Sequence, residues 1–293
     1  METLKLYNGV EIPANGFGVY QVSKEDCKKS VLAALKAGYR HIDTAQSYFN
    51  EEQVGEALVE TDVPRKDIFL TTKVWIDHYG EGKTYDSVIE SLRKLKADYL
   101  DLILLHQPIG DYYGAYRDLE KLYKEGKVRA IGVSNFYPDR LVDICLFADI
   151  KPMVNQIEVN VFNQQIEAKK WADKYGVILE AWAPFAEGRN NMFHNETLMS
   201  IAKKHDRSVA QVILRWLYQR GIVSLAKSTH EERIKENFDI YSFELDGDDM
   251  KLIKTLDMKT SSFFTNQSRV FQSLKSSSFF LISQHLRSAC SLL

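Results

Sequence analysis

Asp43, Lys73 and His106 each close a short apolar run of this chain ("RHID", "IFLTTK" and "LDLILLH"), and Tyr48 follows soon after the first of them. Together these four side-chain types can reduce a carbonyl group. A tyrosine hydroxyl, with a pKa of about 10, is a poor acid at neutral pH unless a cation lies beside it. Lys73 can supply that charge and lower the tyrosine pKa, and Asp43 can hold a buried lysine charged. His106 can donate a hydrogen bond to a carbonyl oxygen and orient it against Tyr48. Tyr48 then protonates that oxygen as the carbon receives a hydride. No side chain donates hydride, so this chemistry needs a nicotinamide cofactor. Trp182, at another run end, can stack on the nicotinamide ring, and Ser134, Asn135 and Gln156 carry donors and acceptors that suit a carboxamide. Lys227 and Ser228 close the last run.

Each residue taken alone has a plainer use. An acid at a strand end is commonly a helix cap, and a lone tyrosine is commonly a half-buried surface aromatic. Trp182 could be core, and His106, two residues before Pro108, could be a satisfied core histidine. Lys73 is harder to dismiss, because burying a lysine is costly. A metal site is the rival use of such groups, but His41, His78 and His106 show no ligand spacing. What favours chemistry is their joint placement at successive run ends.

The elements that would position them recur along the chain. Apolar runs lie near 15–20, 40–43, 68–73, 100–106, 128–135, 152–159, 177–184 and 222–228. Amphipathic stretches separate them. Ser23 with Asp26 forms a capping box before a stripe of Cys27, Val31, Ala34 and Leu35. Val88, Leu92 and Leu95 form another stripe, and Tyr116, Leu119, Leu122 and Tyr123 a third, which Gly126 ends. "SVAQVILRWLYQR" is a further helix before Gly221. Eight strand–helix units predict a closed (β/α)8 TIM barrel, whose site lies at the C-terminal ends of its strands. No GxGxxG follows the first run, which weighs against a doubly wound sheet. Ahead of the barrel, Asn8-Gly9 predicts a two-residue hairpin turn with both residues at positive φ. The expected organisation is one barrel domain over residues 1–275. The Ser- and Phe-rich 276–293 is expected to be an atypical C-terminal tail.

Composition narrows the partners. A formal charge of −2 gives no basic field for nucleic acid or an anionic membrane. Three scattered cysteines without a CxxC suit a reducing cytosol rather than a disulfide or zinc framework. The N-terminus has no basic region followed by an apolar one, so no signal peptide is expected, and no apolar run reaches membrane-spanning length. A cytoplasmic protein acting on a small molecule is the expectation.

Longer blocks carry a resemblance. "GYRHIDTAQSYFNEEQVGEAL" (38–58), "TTKVW" (71–75), "YLDLILLHQP" (99–108), "GKVRAIGVSNF" (126–136), "NQIEVN" (155–160) and "AKSTHEERIKEN" (226–237) lie in order along the chain. They resemble the aldo-keto reductases, most closely the branch with 2,5-diketo-D-gluconate reductases and prostaglandin F synthases. The resemblance implies a (β/α)8 barrel, NADPH as cofactor, and reduction of aldehydes or ketones to alcohols; the expected state is a monomer. It places a catalytic tetrad on Asp43, Tyr48, Lys73 and His106. It places nicotinamide contacts on Ser134, Asn135 and Gln156, a ribose neighbour on Thr44 and the stacking aromatic on Trp182. The 2′-phosphate contacts fall on Lys227, Ser228 and Arg233, and the adenine contacts on Glu236 and Asn237. Two cations near a helix N-terminus suit a phosphate. Candidate substrate-pocket residues are Tyr20, Phe49, Trp75, His106, Gln107 and Phe264. Gln107 stands where the family often has Trp, which makes that wall more polar. Ala226 and Ala183 replace residues common beside the cofactor. Two rivals follow: a nicotinamide-binding regulatory subunit with little turnover, and a reductase that prefers NADH.

Overall fold

The computed structural model describes residues 2–263. Phe264 and the expected tail 276–293 lie outside the described residues, as do 264–275.

An antiparallel hairpin comes first, β1 (Thr3–Lys5) with β2 (Glu11–Pro13). Its turn differs from the expected one. Leu6 N–H donates to Val10 O (2.8 Å) and Gly9 N–H to Leu6 O (2.9 Å), so the loop is the three residues 7–9. Gly9 alone takes a positive φ, at 89°. The side chain of Asn8 supplies the reason: its Oδ1 accepts from Val10 N–H and its Nδ2 donates to Arg129 O. Those bonds hold the asparagine in an Asx-type turn. Arg129 and Lys151, which Tyr7 reaches, precede barrel strands, so the hairpin lies across the N-terminal end of the barrel.

The eight expected runs all become strands of one closed barrel: β3 (Asn15–Gly18), β4 (His41–Asp43), β5 (Phe69–Val74), β6 (Leu102–Leu105), β7 (Ile131–Ser134), β8 (Val154–Glu158), β9 (Ile178–Trp182) and β10 (Val223–Ala226). Every neighbouring pair is parallel, and β10 closes onto β3. Strands buried on both faces read as near-continuous apolar runs, which is why the sequence marks them. Several are shorter than their runs, so His106, Asn135, Lys227 and Ser228 sit just beyond strand ends.

Helices form the outer ring: α1 (Lys24–Ala37), α2 (Glu51–Glu60), α3 (Lys83–Lys94), α4 (Tyr112–Lys124), α5 (Pro138–Phe147), α6 (Ile166–Tyr175), α7 (Glu196–His205), α8 (Val209–Gln219), α9 (Glu231–Phe238) and α10 (Gly247–Lys254). On α1 the buried face is Cys27, Ser30, Val31, Ala34 and Leu35, as its spacing predicts. Its cap is half of the expected box. Ser23 Oγ accepts from Asp26 N–H, but the Asp26 carboxylate accepts the Ser23 hydroxyl instead of reaching back to the backbone. A full box forms at Ser208–Gln211 on α8. No helix among the described residues is long and apolar enough to cross a membrane.

Candidate active site

Tyr48 is fixed by its flanks. After Asp43 ends β4, a 3-10 turn (Gln46–Tyr48) leads through Phe49, at φ 57°, into α2. Gln46 Oε1 accepts from Trp75 N–H (2.9 Å) and its Nε2 donates to Ser91 Oγ (3.1 Å), tying the turn to β5 and α3. Asn50 Nδ2 donates to Val19 O, and its Oδ1 accepts the Thr44 hydroxyl. The turn therefore cannot swing away without breaking buried polar bonds.

Inside that frame Lys73 spends all three ammonium hydrogens. They reach Asp43 Oδ1 (2.6 Å), Thr44 O (2.9 Å) and Tyr48 Oη (3.3 Å). Gln156 Nε2 donates to the other Asp43 oxygen (3.0 Å) and to Glu180 Oε2 (2.7 Å). Strands β4 and β8 are not neighbours, so the Asp43–Gln156 bond crosses the barrel interior. The Tyr48 and His106 rings meet edge to face at 5.8 Å, and Trp75 packs on His106 at 5.0 Å. Ser47 Oγ lies 3.3 Å from His106 Nδ1. With Ser47 as donor there, the ring hydrogen sits on Nε2.

The environment sets the charges. Burial pushes the Tyr48 hydroxyl up to about 12; Lys73 pulls it down, but by less. The expected net lowering by Lys73 is therefore corrected: low-dielectric surroundings outweigh the cation, and Tyr48 rests fully protonated. Burial works to lower Lys73, but Asp43 first, then Tyr48 and Glu180, raise it above its ordinary value, so it stays an ammonium. Burial also holds Asp43 above the usual carboxylate range, against Lys73 and Gln156. His106 is lowered well below an ordinary histidine by burial and then by Lys73, so it is neutral at physiological pH.

The proposed nicotinamide contacts form one connected patch. Ser134 Oγ donates to Gln156 O (2.9 Å), Asn135 Nδ2 donates to His106 O (3.1 Å), and Trp182 Nε1 donates to Asn135 Oδ1 (3.0 Å). This locks the Trp182 indole in plane while leaving the ring half-buried. Phe263 packs on Trp182 at 5.3 Å. Thr44 is fully buried, as Ser134 and Gln156 are, but its hydroxyl is spent on Asn50 and it is not bonded into this patch. Lys227 and Arg233 are exposed at either side of the α9 start, and neither pairs with an acid among the described residues. Ser228 Oγ accepts from His230 N–H, the N-cap of α9. Glu236 is exposed, and Asn237 is buried with its carbonyl accepting from Asn15. None of these last five touches the tetrad. At the mouth, Phe49 is 76% and Tyr20 is 52% exposed, and Tyr20 packs on Tyr48 at 4.9 Å. Gln107 is anchored through its backbone to the Tyr79 hydroxyl.

Two buried acids were not anticipated. Glu180 lies mid-strand in β9, inside an apolar run, so a search of strand ends passes over it; an acid within "VILEAWAP" is the signal it did leave. Glu158 closes β8 and accepts from Ser261 Oγ and Ser262 N–H, holding the chain's last described segment against the mouth.

The family model described as "Aldo/keto reductase family" matches residues 14–258. This chain belongs to the aldo/keto reductase family. The glyoxal reductase of Bacillus subtilis (strain 168) is 48% identical over 257 residues, covering 87% of this chain and 92% of that protein. Among solved structures, the aldo-keto reductase MGS-M4 from a Medee basin deep-sea metagenome superposes with a TM-score of 0.87 at 43% identity, over 90% of this chain and 97% of that one. The Bombyx mori aldo-keto reductase AKR2E4, solved in complex with NADP, gives a TM-score of 0.87 at 31% identity, over 92% and 96% of the two chains. The barrel, the hairpin and the family are those expected from the sequence.

Proposed function

We propose that this aldo/keto reductase reduces small aldehydes and ketones, α-oxoaldehydes among them, with NADPH as cofactor and Tyr48 as the proton donor. The observation that carries the reading is the Lys73 ammonium, which joins Asp43 to the Tyr48 hydroxyl at the strand ends.

NADPH supplies a hydride when bound. The chain's own residues do the rest. Tyr48 gives its hydroxyl proton to the carbonyl oxygen; it is protonated at rest and is a far stronger acid than the alcohol formed. Lys73 steadies the tyrosinate left behind, and Asp43 keeps Lys73 charged and in place. Neutral His106 donates through Nε2 to the same carbonyl oxygen. Ser134, Asn135 and Gln156 suit a carboxamide, and Trp182 offers an aromatic face beside them. Lys227 and Arg233 are exposed cations flanking the α9 N-terminus, unpaired among the described residues, which fits the 2′-phosphate that distinguishes NADPH from NADH. The glyoxal reductase relative and the polar Gln107 at the mouth support an α-oxoaldehyde substrate. The same reading makes residues 1–275 one barrel domain of a monomer that acts in the cytosol.

The test is NADPH oxidation across aldehydes, α-oxoaldehydes, ketones and quinones, repeated with NADH. Turnover of α-oxoaldehydes with NADPH preferred is the expected result. NADPH binding without turnover of any carbonyl would make the protein a binding subunit instead.

A further inference from the structure

Beneath the tetrad the barrel holds a second acid. Glu180 is fully buried on β9, its Oε2 accepts from Gln156 Nε2 at 2.7 Å, and its Oε1 has no hydrogen-bond partner among the described residues. Gln156 is 2% exposed and gives its other amide hydrogen to Asp43 Oδ2 at 3.0 Å. A primary amide has two hydrogens, and both are now used on carboxyl groups. The amide oxygen is then the only group that Gln156 has left for a ligand. Turning the amide over would set that oxygen against the Asp43 carboxylate, which is unfavourable in a buried site.

We propose that Glu180 is a positioning residue for the cofactor: through Gln156 it holds the amide nitrogen inward and the amide oxygen toward the mouth, where it accepts a hydrogen from the nicotinamide carboxamide NH2. This rests on the reading above that Gln156 faces a nicotinamide. The charge balance agrees. Lys73 is the one ammonium in this hydrogen-bonded chain, and Asp43 takes it directly at 2.6 Å. His41, 3.6 Å from Glu180 Oε1, is pushed down to about 3 by burial and is neutral. Glu180, with no cation of its own, is pushed up to about 8 by burial and then by Asp43. A carboxylic acid keeps an acceptor oxygen for Gln156 without adding a charge beneath Asp43. Without Glu180, Gln156 has one acceptor below instead of two, so Asp43 alone holds the amide and its orientation is less firmly fixed.

The test compares binding of NADPH with that of its reduced 3-acetylpyridine analogue, in which a methyl group replaces the carboxamide NH2, by calorimetry. The wild type is expected to favour NADPH by about two- to tenfold, the range of one net hydrogen bond. Glu180→Gln keeps an acceptor and should keep that ratio. Glu180→Met and Glu180→Ala, one filling the space and one emptying it and neither carrying an acceptor, should bring the ratio toward one while the fold, checked by circular dichroism, persists. A folded Met or Ala variant with the wild-type ratio overturns the inference. So does a wild type that binds both cofactors equally, however the variants fold. A wild type that binds neither cofactor overturns the NADPH reading itself, and the inference with it.

Discussion

Replacing Lys73 by Met keeps the length of the side chain and removes its charge. Asp43 then loses its 2.6 Å partner and keeps only Gln156. Breaking a buried pair by removing one member costs about 3–5 kcal/mol, because the surviving charge is stranded. Asp43 limits that cost by taking up a proton, which its already raised pKa favours. For a protein of this size about 1 kcal/mol lowers Tm by roughly 2–4 °C, so a fall on the order of 10 °C is expected. Activity falls as well, since Tyr48 loses the cation that steadies its tyrosinate; a drop of about 10²–10⁴ in kcat/KM is expected for carbonyl reduction. Differential scanning calorimetry and steady-state assays of Lys73→Met, Asp43→Asn and the double variant check this. The double variant should cost clearly less than the sum of the singles, since neither charge is then stranded. Additive losses in Tm, or a Lys73→Met enzyme within threefold of wild-type kcat/KM, would refute the coupling of these groups.

Arg233→Ala should weaken NADPH binding much more than NADH binding, measured as the ratio of their Kd values; equal losses remove the phosphate role. Stability should respond to pH through Glu180: its folded pKa of about 8 lies above the ordinary 4.5, so its stabilisation is full below about 4.5 and is lost as pH rises to about 8. His41 acts in the opposite sense, losing its contribution as pH falls from 6.5 toward about 3, so the Glu180 part is read as the difference between wild type and Glu180→Gln in urea unfolding between pH 6.5 and 8. Over that window the wild type should lose stability relative to Glu180→Gln. Gly55→Ala would place a Cβ 2.4 Å from Lys94 O and 2.7 Å from Leu95 C, both backbone, so α2 must shift. A loss of about 1–3 kcal/mol in urea unfolding is expected, with kcat reduced because α2 follows the Tyr48 turn.

The barrel was legible because a parallel strand buried on both faces is an apolar run, and each run is followed by a helix with one apolar stripe. The clustering of the candidate site was legible because a barrel brings strand ends together, so Asp43, Lys73 and His106 converge although they are far apart in sequence. What periodicity could not show is where a hydroxyl or amide points. Thr44 turns its hydroxyl to Asn50, and Asn8 turns the hairpin into a three-residue loop, each through a side-chain bond that spacing does not encode. The net pKa of Tyr48 was misjudged for a related reason: a neighbouring cation is visible in sequence, but the depth of burial that outweighs it is not. Glu180 escaped because its strand reads as apolar on both sides of it. The exposed Lys227 and Arg233 were placed by resemblance alone, and only cofactor binding will give them contacts to measure.

In the proposed reaction the Tyr48 hydroxyl gives the proton. Tyr48→Phe removes that hydroxyl and leaves the ring on Tyr20 and His106. In single-turnover stopped flow with NADPH and methylglyoxal, the variant should bind NADPH with a Kd near that of the wild type. The hydride-transfer burst should slow by about 10²–10⁴. A burst within tenfold of the wild-type rate would contradict the account.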